Sequence, residues 1–87
     1  MKQAIGMVET RSLVAAVQGA DTMVKSAEVK IVEVEYVGSG IVAVVVTGEV
    51  AAVKAAVENA KESAAEVVEV ISTNVIPRPH NEVDKIL

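Results

Sequence analysis

One serine between two glycines is the group most able to contact a ligand. Gly38, Ser39 and Gly40 would present peptide N–H and C=O groups and one hydroxyl, because glycine has no side chain and tolerates positive φ. A phosphate-binding loop needs a helix directly after its glycines, whereas the apolar residues 41–47 are typical of a strand. The motif alone therefore indicates a tight hairpin tip, which either binds a small ligand or packs around a narrow opening.

The remaining candidates for acid–base or metal chemistry form no catalytic set. His80 is the only histidine in the sequence, and there is no cysteine, so a histidine pair, a triad or a thiolate metal site cannot be built within one chain. Glu33 and Glu35 are two residues apart but lack the apolar shielding that a catalytic carboxylate pair requires. We therefore expect no catalytic residue, no metal site and no cofactor, and we expect both glutamates on a solvated strand face.

Two cationic residues are better suited to contacts than to catalysis. Lys25 lies near the end of a helical segment, where the helix dipole favours a cation. Arg78 lies between Pro77 and Pro79, whose fixed φ angles make the segment stiff and direct the guanidinium group. An arginine held in this way suits hydrogen bonds to carbonyl or carboxylate groups across an interface.

Composition limits the kind of protein that carries these residues. The 87 residues have a net charge of −4 and are 52% hydrophobic, with one tyrosine as the only aromatic residue. This length predicts a single domain over residues 1–87, and its many valines and alanines leave apolar surface that favours homo-oligomerisation. The acidic balance argues against nucleic acid as a partner. The longest apolar stretch, 41–46, is too short to cross a membrane, and we expect a cytoplasmic protein.

The elements that would position these residues follow the order β-α-β-β-α-β. This is the split βαβ pattern of a ferredoxin-like α+β sandwich, with a four-stranded antiparallel sheet and both helices on one face. A short helix is expected after the prolines, over residues 80–87. Apolar periodicity predicts strands at residues 3–10, 29–36, 41–47 and 67–76 and helices at residues 13–27 and 49–65.

The same pattern predicts three details of packing. Gly6 in the first strand and Gly19 in the first helix each indicate that another element packs closely against them. The apolar run 41–47 indicates a central strand that is covered on both faces, in part by a neighbouring subunit. The first helix is expected to bury one apolar stripe, which consists of Leu13, Ala16, Val17, Ala20, Val24 and Ala27.

Five short motifs follow one another along the chain. They are GMVET at 6–10, ADTMVK at 20–25, VGSG at 37–40, GEVAAV at 48–53 and VIPRPH at 75–80. In the order and spacing of these motifs, the chain resembles the single-domain, hexamer-forming shell proteins of bacterial microcompartments, known as the BMC type. The Pro-Arg-Pro-His segment is more similar to shells around catabolic enzymes of the propanediol or ethanolamine type than to carboxysome shells.

The resemblance implies a flat disc of six subunits that tiles into the facet of a microcompartment shell in the cytoplasm. Val37, Gly38, Ser39 and Gly40 would line a narrow pore on the six-fold axis for small polar metabolites, and Tyr36 would lie beside that pore. Many relatives have lysine at the position of Tyr36, so we expect less positive charge at this pore than at theirs.

The resemblance also implies contacts at the edge of the disc. Lys25 would lie along this edge and contact the adjacent hexamer, Arg78 would insert at the same contact, and His80 follows it in the motif. Asp21, one helical turn before Lys25, would orient the lysine. The implied partners are further copies of this chain, other shell proteins, enclosed enzymes and metabolites in transit.

The residues themselves leave a second function open. A ferredoxin-like regulatory domain, dimeric or trimeric, would use the glycine–serine tip to bind a small effector. Stabilisation against heat that grows with ligand concentration would favour this alternative. An acylphosphatase-like enzyme is a third possibility, but Arg11 near the end of the first strand has no glycine-rich cradle around it.

Overall fold

The computed structural model describes residues 3–65 and 70–77. Their four strands form one antiparallel sheet in the order β2-β3-β1-β4, which confirms the ferredoxin-like α+β architecture. The helix expected over 80–87 lies outside the described residues. The elements are β1 Ala4–Thr10, α1 Leu13–Ser26, β2 Val29–Gly38, β3 Ile41–Gly48, α2 Val50–Ala65 and β4 Val70–Ile76.

The core lies between the sheet and the two helices. Alternate valines of β3 point to the helices, because side chains of a strand alternate between its faces. These valines are Val42, Val44 and Val46, and they belong to one buried cluster with Met23 of α1 and Val53 of α2. Ser12 is the N-cap of α1, and its Oγ accepts a hydrogen bond of 3.1 Å from the Ala15 N–H.

Gly6 allows α2 to lie directly on β1. A Cβ atom at this position would be 2.7 Å from Val53 Cγ1 and 2.8 Å from Val57 Cγ2, which is closer than non-bonded carbon atoms pack. The close packing predicted at Gly6 is therefore confirmed. The same prediction at Gly19 is wrong among the described residues, because a Cβ there would meet none of their atoms within 4 Å beyond its own helix backbone.

The stripe that α1 buries differs from the predicted one. Its buried residues are small or flexible, whereas Leu13, Val17 and Val24 are exposed, Val17 by 58%. Apolar residues occur on two sides of this helix, and the side rich in alanine permits the closer approach to α2 and the sheet. The buried residues are Ala15, Ala16, Gly19, Ala20 and Met23.

β3 is central, as its apolar run predicted. It lies between β2 and β1, and Ala43 and Val45, on the face opposite the helices, are only 3% and 8% exposed. Both residues are thus buried within a single chain, so their burial does not depend on a neighbouring subunit. Within the described residues, neither helix is long and apolar enough to cross a membrane.

Candidate functional site

The hairpin between β2 and β3 closes on the two-residue loop Ser39 and Gly40. Both residues have positive φ, 54° and 80°, the combination that type I′ hairpin turns require. Gly38 and Ile41 form the last cross-strand pair before the loop, and Gly38 also has positive φ, 115°. Glycine at 38 and 40 therefore allows a backbone that most side chains would strain, which leaves Ser39 as the side chain at the tip.

A β-bulge at Val37 connects β2 to this tip. The pairing passes from Tyr36 opposite Val42 to Gly38 opposite Ile41, so Val37 is the extra residue. Bulges bend a strand and change the direction of its side chains. All residues from 37 to 40 are exposed. The structure thus places the four predicted pore residues together on one exposed turn, and their role in a pore stays a prediction.

Tyr36 lies at the base of the tip on the outer strand of the sheet. It is opposite Val42, a core residue, so it projects on the same side of the sheet as the helices. The side chain is nevertheless 69% exposed, because β2 is an edge strand. An aromatic ring with a hydroxyl group therefore stands at the foot of a turn that is otherwise poor in side chains.

Glu33 and Glu35 lie on the opposite face of β2, as the sequence predicted. Glu33 is opposite Val45 and Glu35 is opposite Ala43, and both glutamates are exposed. Among residues 3–65 and 70–77, no group of three or more His, Cys, Asp or Glu side chains is placed to hold a metal ion.

Asp21 and Lys25 form an ion pair on α1. The distance from Lys25 Nζ to Asp21 Oδ2 is 3.0 Å, so the contact predicted from their four-residue separation is present. Both side chains are mostly exposed, and such a pair stabilises a helix by only about 0.3–0.5 kcal/mol. The pair therefore adds little to the stability of the fold, and it places Lys25 Nζ beside Asp21 on the exposed side of α1. Arg78 and His80, the other predicted edge residues, lie outside the described residues.

Most of the exposed large apolar residues that the structure describes lie on α1 and β2, and the sequence did not locate them there. We call these residues the α1–β2 apolar surface. Composition predicted surplus apolar area, but periodicity placed several of its members in the core. Nine of the eleven exposed large hydrophobic residues that the structure describes belong to it, namely Leu13, Val14, Val17, Val24, Ile31, Val32, Val34, Tyr36 and Val37.

A polar residue next to the tip was also missed from the sequence. Thr10 ends β1 and is completely buried, and its Oγ1 donates a hydrogen bond of 2.9 Å to the Ser12 carbonyl oxygen. The sequence signal was weak, because a threonine at a strand end suits a solvent-exposed helix cap equally well.

Comparison with known proteins shows one consistent family. Residues 4–79 match the model of the BMC domain. The chain is 54% identical over 86 residues to the bacterial microcompartment shell protein PduA of Salmonella typhimurium LT2, covering 99% of this chain and 92% of that protein. It is 44% identical over 84 residues to the shell protein EutM of Escherichia coli K12, covering 97% and 87% respectively.

Related sequences include carboxysome proteins, and a solved structure has the same fold. The carboxysome shell protein CsoS1A of Hydrogenovibrio crunogenus is 46% identical over 85 residues, covering 97% of this chain and 88% of that protein. A crystal structure of a microcompartment protein from Desulfitobacterium hafniense superposes with a TM-score of 0.85 at 34% identity. The match covers 95% of this chain but 45% of that longer chain.

Proposed function

Because the chain belongs to the BMC-domain family and is a bacterial microcompartment shell protein of the cytoplasm, we propose that it acts as a porous tile. Six copies close into a flat cyclic hexamer, and hexamers join edge to edge into a shell facet. The hairpin tips surround a central pore for small polar metabolites, and the chain performs no catalysis. The observation that carries the proposal is an exposed tip, poor in side chains, on the same strand as an exposed apolar surface.

Self-association follows from the α1–β2 apolar surface. β2 is an edge strand that is exposed from Lys30 to Gly38, and Val34 on its helix-facing side is 45% exposed. A monomer would leave this apolar area in water. Contact with a second copy would bury it, which contributes a favourable free energy of about 25 cal/mol per Å² of apolar surface. A heterologous contact repeated around an axis closes into a ring.

The tip suits a pore rim because it is small and polar. In a six-fold ring the six tips converge without obstructing the axis, since Gly38 and Gly40 have no side chains. Six Ser39 hydroxyls and the neighbouring peptide groups replace part of the hydration of a polar solute. Selectivity then comes from pore width and from the donors and acceptors that line it.

The oriented ammonium group of Lys25 supports the edge contact. Asp21 holds it from one side at 3.0 Å while most of the lysine side chain stays exposed. A lysine presented in this way is free to donate to carbonyl groups of an adjacent disc. In this proposal Arg78 and His80 act at the same edge.

Native mass spectrometry and electron microscopy together test the proposal. We expect a species of six times 9.0 kDa and two-dimensional hexagonal sheets at high protein concentration. A stable monomer, dimer or trimer would contradict the hexamer, and the last two would favour the regulatory-domain alternative. Hexamers that never form sheets would contradict tiling and leave the ring intact.

A further inference from the structure

We propose that Thr10 is a positioning residue for the hairpin tip. Its buried hydroxyl fixes the end of the β2–β3 hairpin to the segment that joins β1 to α1, which we call the β1–α1 junction, residues 10–12. The inference concerns the tip of each subunit, and its consequence for a pore rests on the proposed function.

The contacts of Thr10 reach both segments. The side chain is 0% exposed, and its Oγ1 is 2.9 Å from the Ser12 carbonyl oxygen and 3.4 Å from the Val42 carbonyl oxygen. One hydroxyl hydrogen serves both acceptors, so the shorter bond dominates and the longer one is a weaker, shared contact. The hydroxyl thus connects the junction to a residue 32 positions later in the chain.

Each acceptor belongs to a defined structural element. The Ser12 carbonyl also accepts the Ala16 N–H at 3.1 Å, the first backbone bond of α1. Val42 follows the tip by two residues and lies opposite Thr10 in the β1–β3 pairing. Because α1 is packed into the core, the bond to the Ser12 carbonyl ties Thr10 to a rigid element, and the contact with the Val42 carbonyl extends this connection to the base of the hairpin.

The tip lies close to the same junction. A Cβ atom at Gly40 would lie 3.7 Å from the Arg11 carbonyl oxygen, an ordinary van der Waals separation. The junction therefore lies behind the loop, whereas residues 37–40 are exposed. A shift of the junction would move the surface next to Gly40, and the hydroxyl of Thr10 is a side-chain group that connects the junction to β3.

Thr10→Val isolates the hydroxyl. Valine has nearly the same shape as threonine and remains β-branched, so strand preference and packing are kept. The Ser12 carbonyl still accepts the Ala16 N–H in the variant, so this acceptor is not left without a donor. Thr10→Ser restores the hydroxyl on a smaller side chain. Ser12→Ala is the matched control, because it removes the helix cap but keeps the carbonyl that accepts from Thr10.

Amide hydrogen exchange of the assembled protein tests the inference. We compare the rates of a hairpin segment, residues 36–43, with those of α2, residues 50–62. Thr10→Val is expected to accelerate exchange in the hairpin segment about three- to tenfold, the effect of losing one hydrogen bond, and to leave α2 unchanged. Thr10→Ser should resemble the wild type, and Ser12→Ala should accelerate exchange at the start of α1 only.

Three results would overturn the inference. The first is an equal acceleration in both segments, and the second is a loss of folding in both Thr10→Val and Thr10→Ala, since either would give Thr10 a role in the whole fold. The third is no acceleration in the hairpin segment, which would mean that Thr10 does not position the tip. The mass of the assembly is measured on the same samples. A hairpin-specific effect without hexamers would contradict the proposed function and support the role of Thr10.

Discussion

Glycine has different consequences at positions 6, 19 and 38. At Gly6 the missing side chain makes room for two valines of α2, at Gly38 it permits positive φ, and at Gly19 the structure gives neither reason. The residue type is the same in all three, and only the packing around each one separates them. Substitutions at Gly6 and Gly19 should therefore change stability in opposite directions.

We expect Gly6→Ala to destabilise the subunit by about 1–3 kcal/mol, the usual cost of overpacking a core. The new methyl group would lie within 2.8 Å of γ-carbons of Val53 and Val57, and β-branched side chains move little to relieve it. Chemical denaturation measures the free energy of unfolding. Combining Gly6→Ala with Val57→Ala should recover part of the loss, and an additive decrease would contradict this explanation.

Position 36 is the place beside the tip where an added charge should have the largest effect. Tyr36→Lys would place six additional positive charges around the proposed axis, and a local potential of this kind raises the concentration of anionic solutes several-fold. We expect the permeation of a small anion relative to a neutral solute of equal size to increase through reconstituted shells. Tyr36→Phe is the uncharged control. An unchanged ratio in Tyr36→Lys would place residue 36 away from the pore.

At the scale of elements, the sequence was informative wherever the apolar pattern had one interpretation. The valine run of β3 indicated a central strand, and the alternation in β2 separated Glu33 and Glu35 from Val34 and Tyr36. It failed on α1, where apolar residues occupy two sides and only tertiary packing selects the stripe of alanines. The bulge at Val37 and the bonds of Thr10 depend on cross-strand register, which periodicity does not specify.

Gly19→Ala should stabilise α1. A methyl group at this position meets open space among the described residues, and alanine favours a helix interior over glycine by about 0.5–1 kcal/mol. Thermal unfolding of dilute, disassembled protein would show a higher midpoint. If the same substitution weakens the assembled hexamer, a neighbouring subunit packs against Gly19, and the close approach predicted from the sequence lies between subunits.

The edge strand β2 should tolerate a charge in the monomer but not in the ring. Val34 is 45% exposed in the single chain, so Val34→Lys keeps its ammonium group in water there. Burial against a second copy would desolvate that charge at a cost of several kcal/mol. We expect native mass spectrometry of Val34→Lys to show monomers, and we expect their circular dichroism spectrum to match that of the wild type. Val50→Lys on α2, a similarly exposed valine outside the α1–β2 apolar surface, is the control, and hexamers of Val34→Lys would exclude β2 from the interface.

At the scale of the whole molecule, two kinds of contact have different strengths. In the proposed assembly, closing the ring would bury apolar area, whereas tiling of rings would use exposed polar groups such as Lys25. The free energy of apolar burial is large and is not screened by ions, while contacts of an exposed ammonium group are weak singly and are screened. A shell built in this way has stable hexamers and reversible contacts between hexamers. A substitution should therefore be able to abolish the sheets without dissociating the hexamers.

Lys25→Ala should abolish sheets and leave hexamers intact. The ion pair with Asp21 adds only tenths of a kcal/mol to α1, so the free energy of unfolding should change little, while every edge of the disc loses its ammonium group. Lys54→Ala on the exposed side of α2 makes the same change in charge and is the control for it. Of the two variants, electron microscopy of concentrated protein would show hexagonal order only in Lys54→Ala.

Asp21→Asn keeps the ammonium group of Lys25 but removes its ion pair, so sheets should form at a higher protein concentration than in the wild type. Sheets of normal order in Lys25→Ala would remove this lysine from the edge contact, and dissociated rings would place it between subunits of one hexamer.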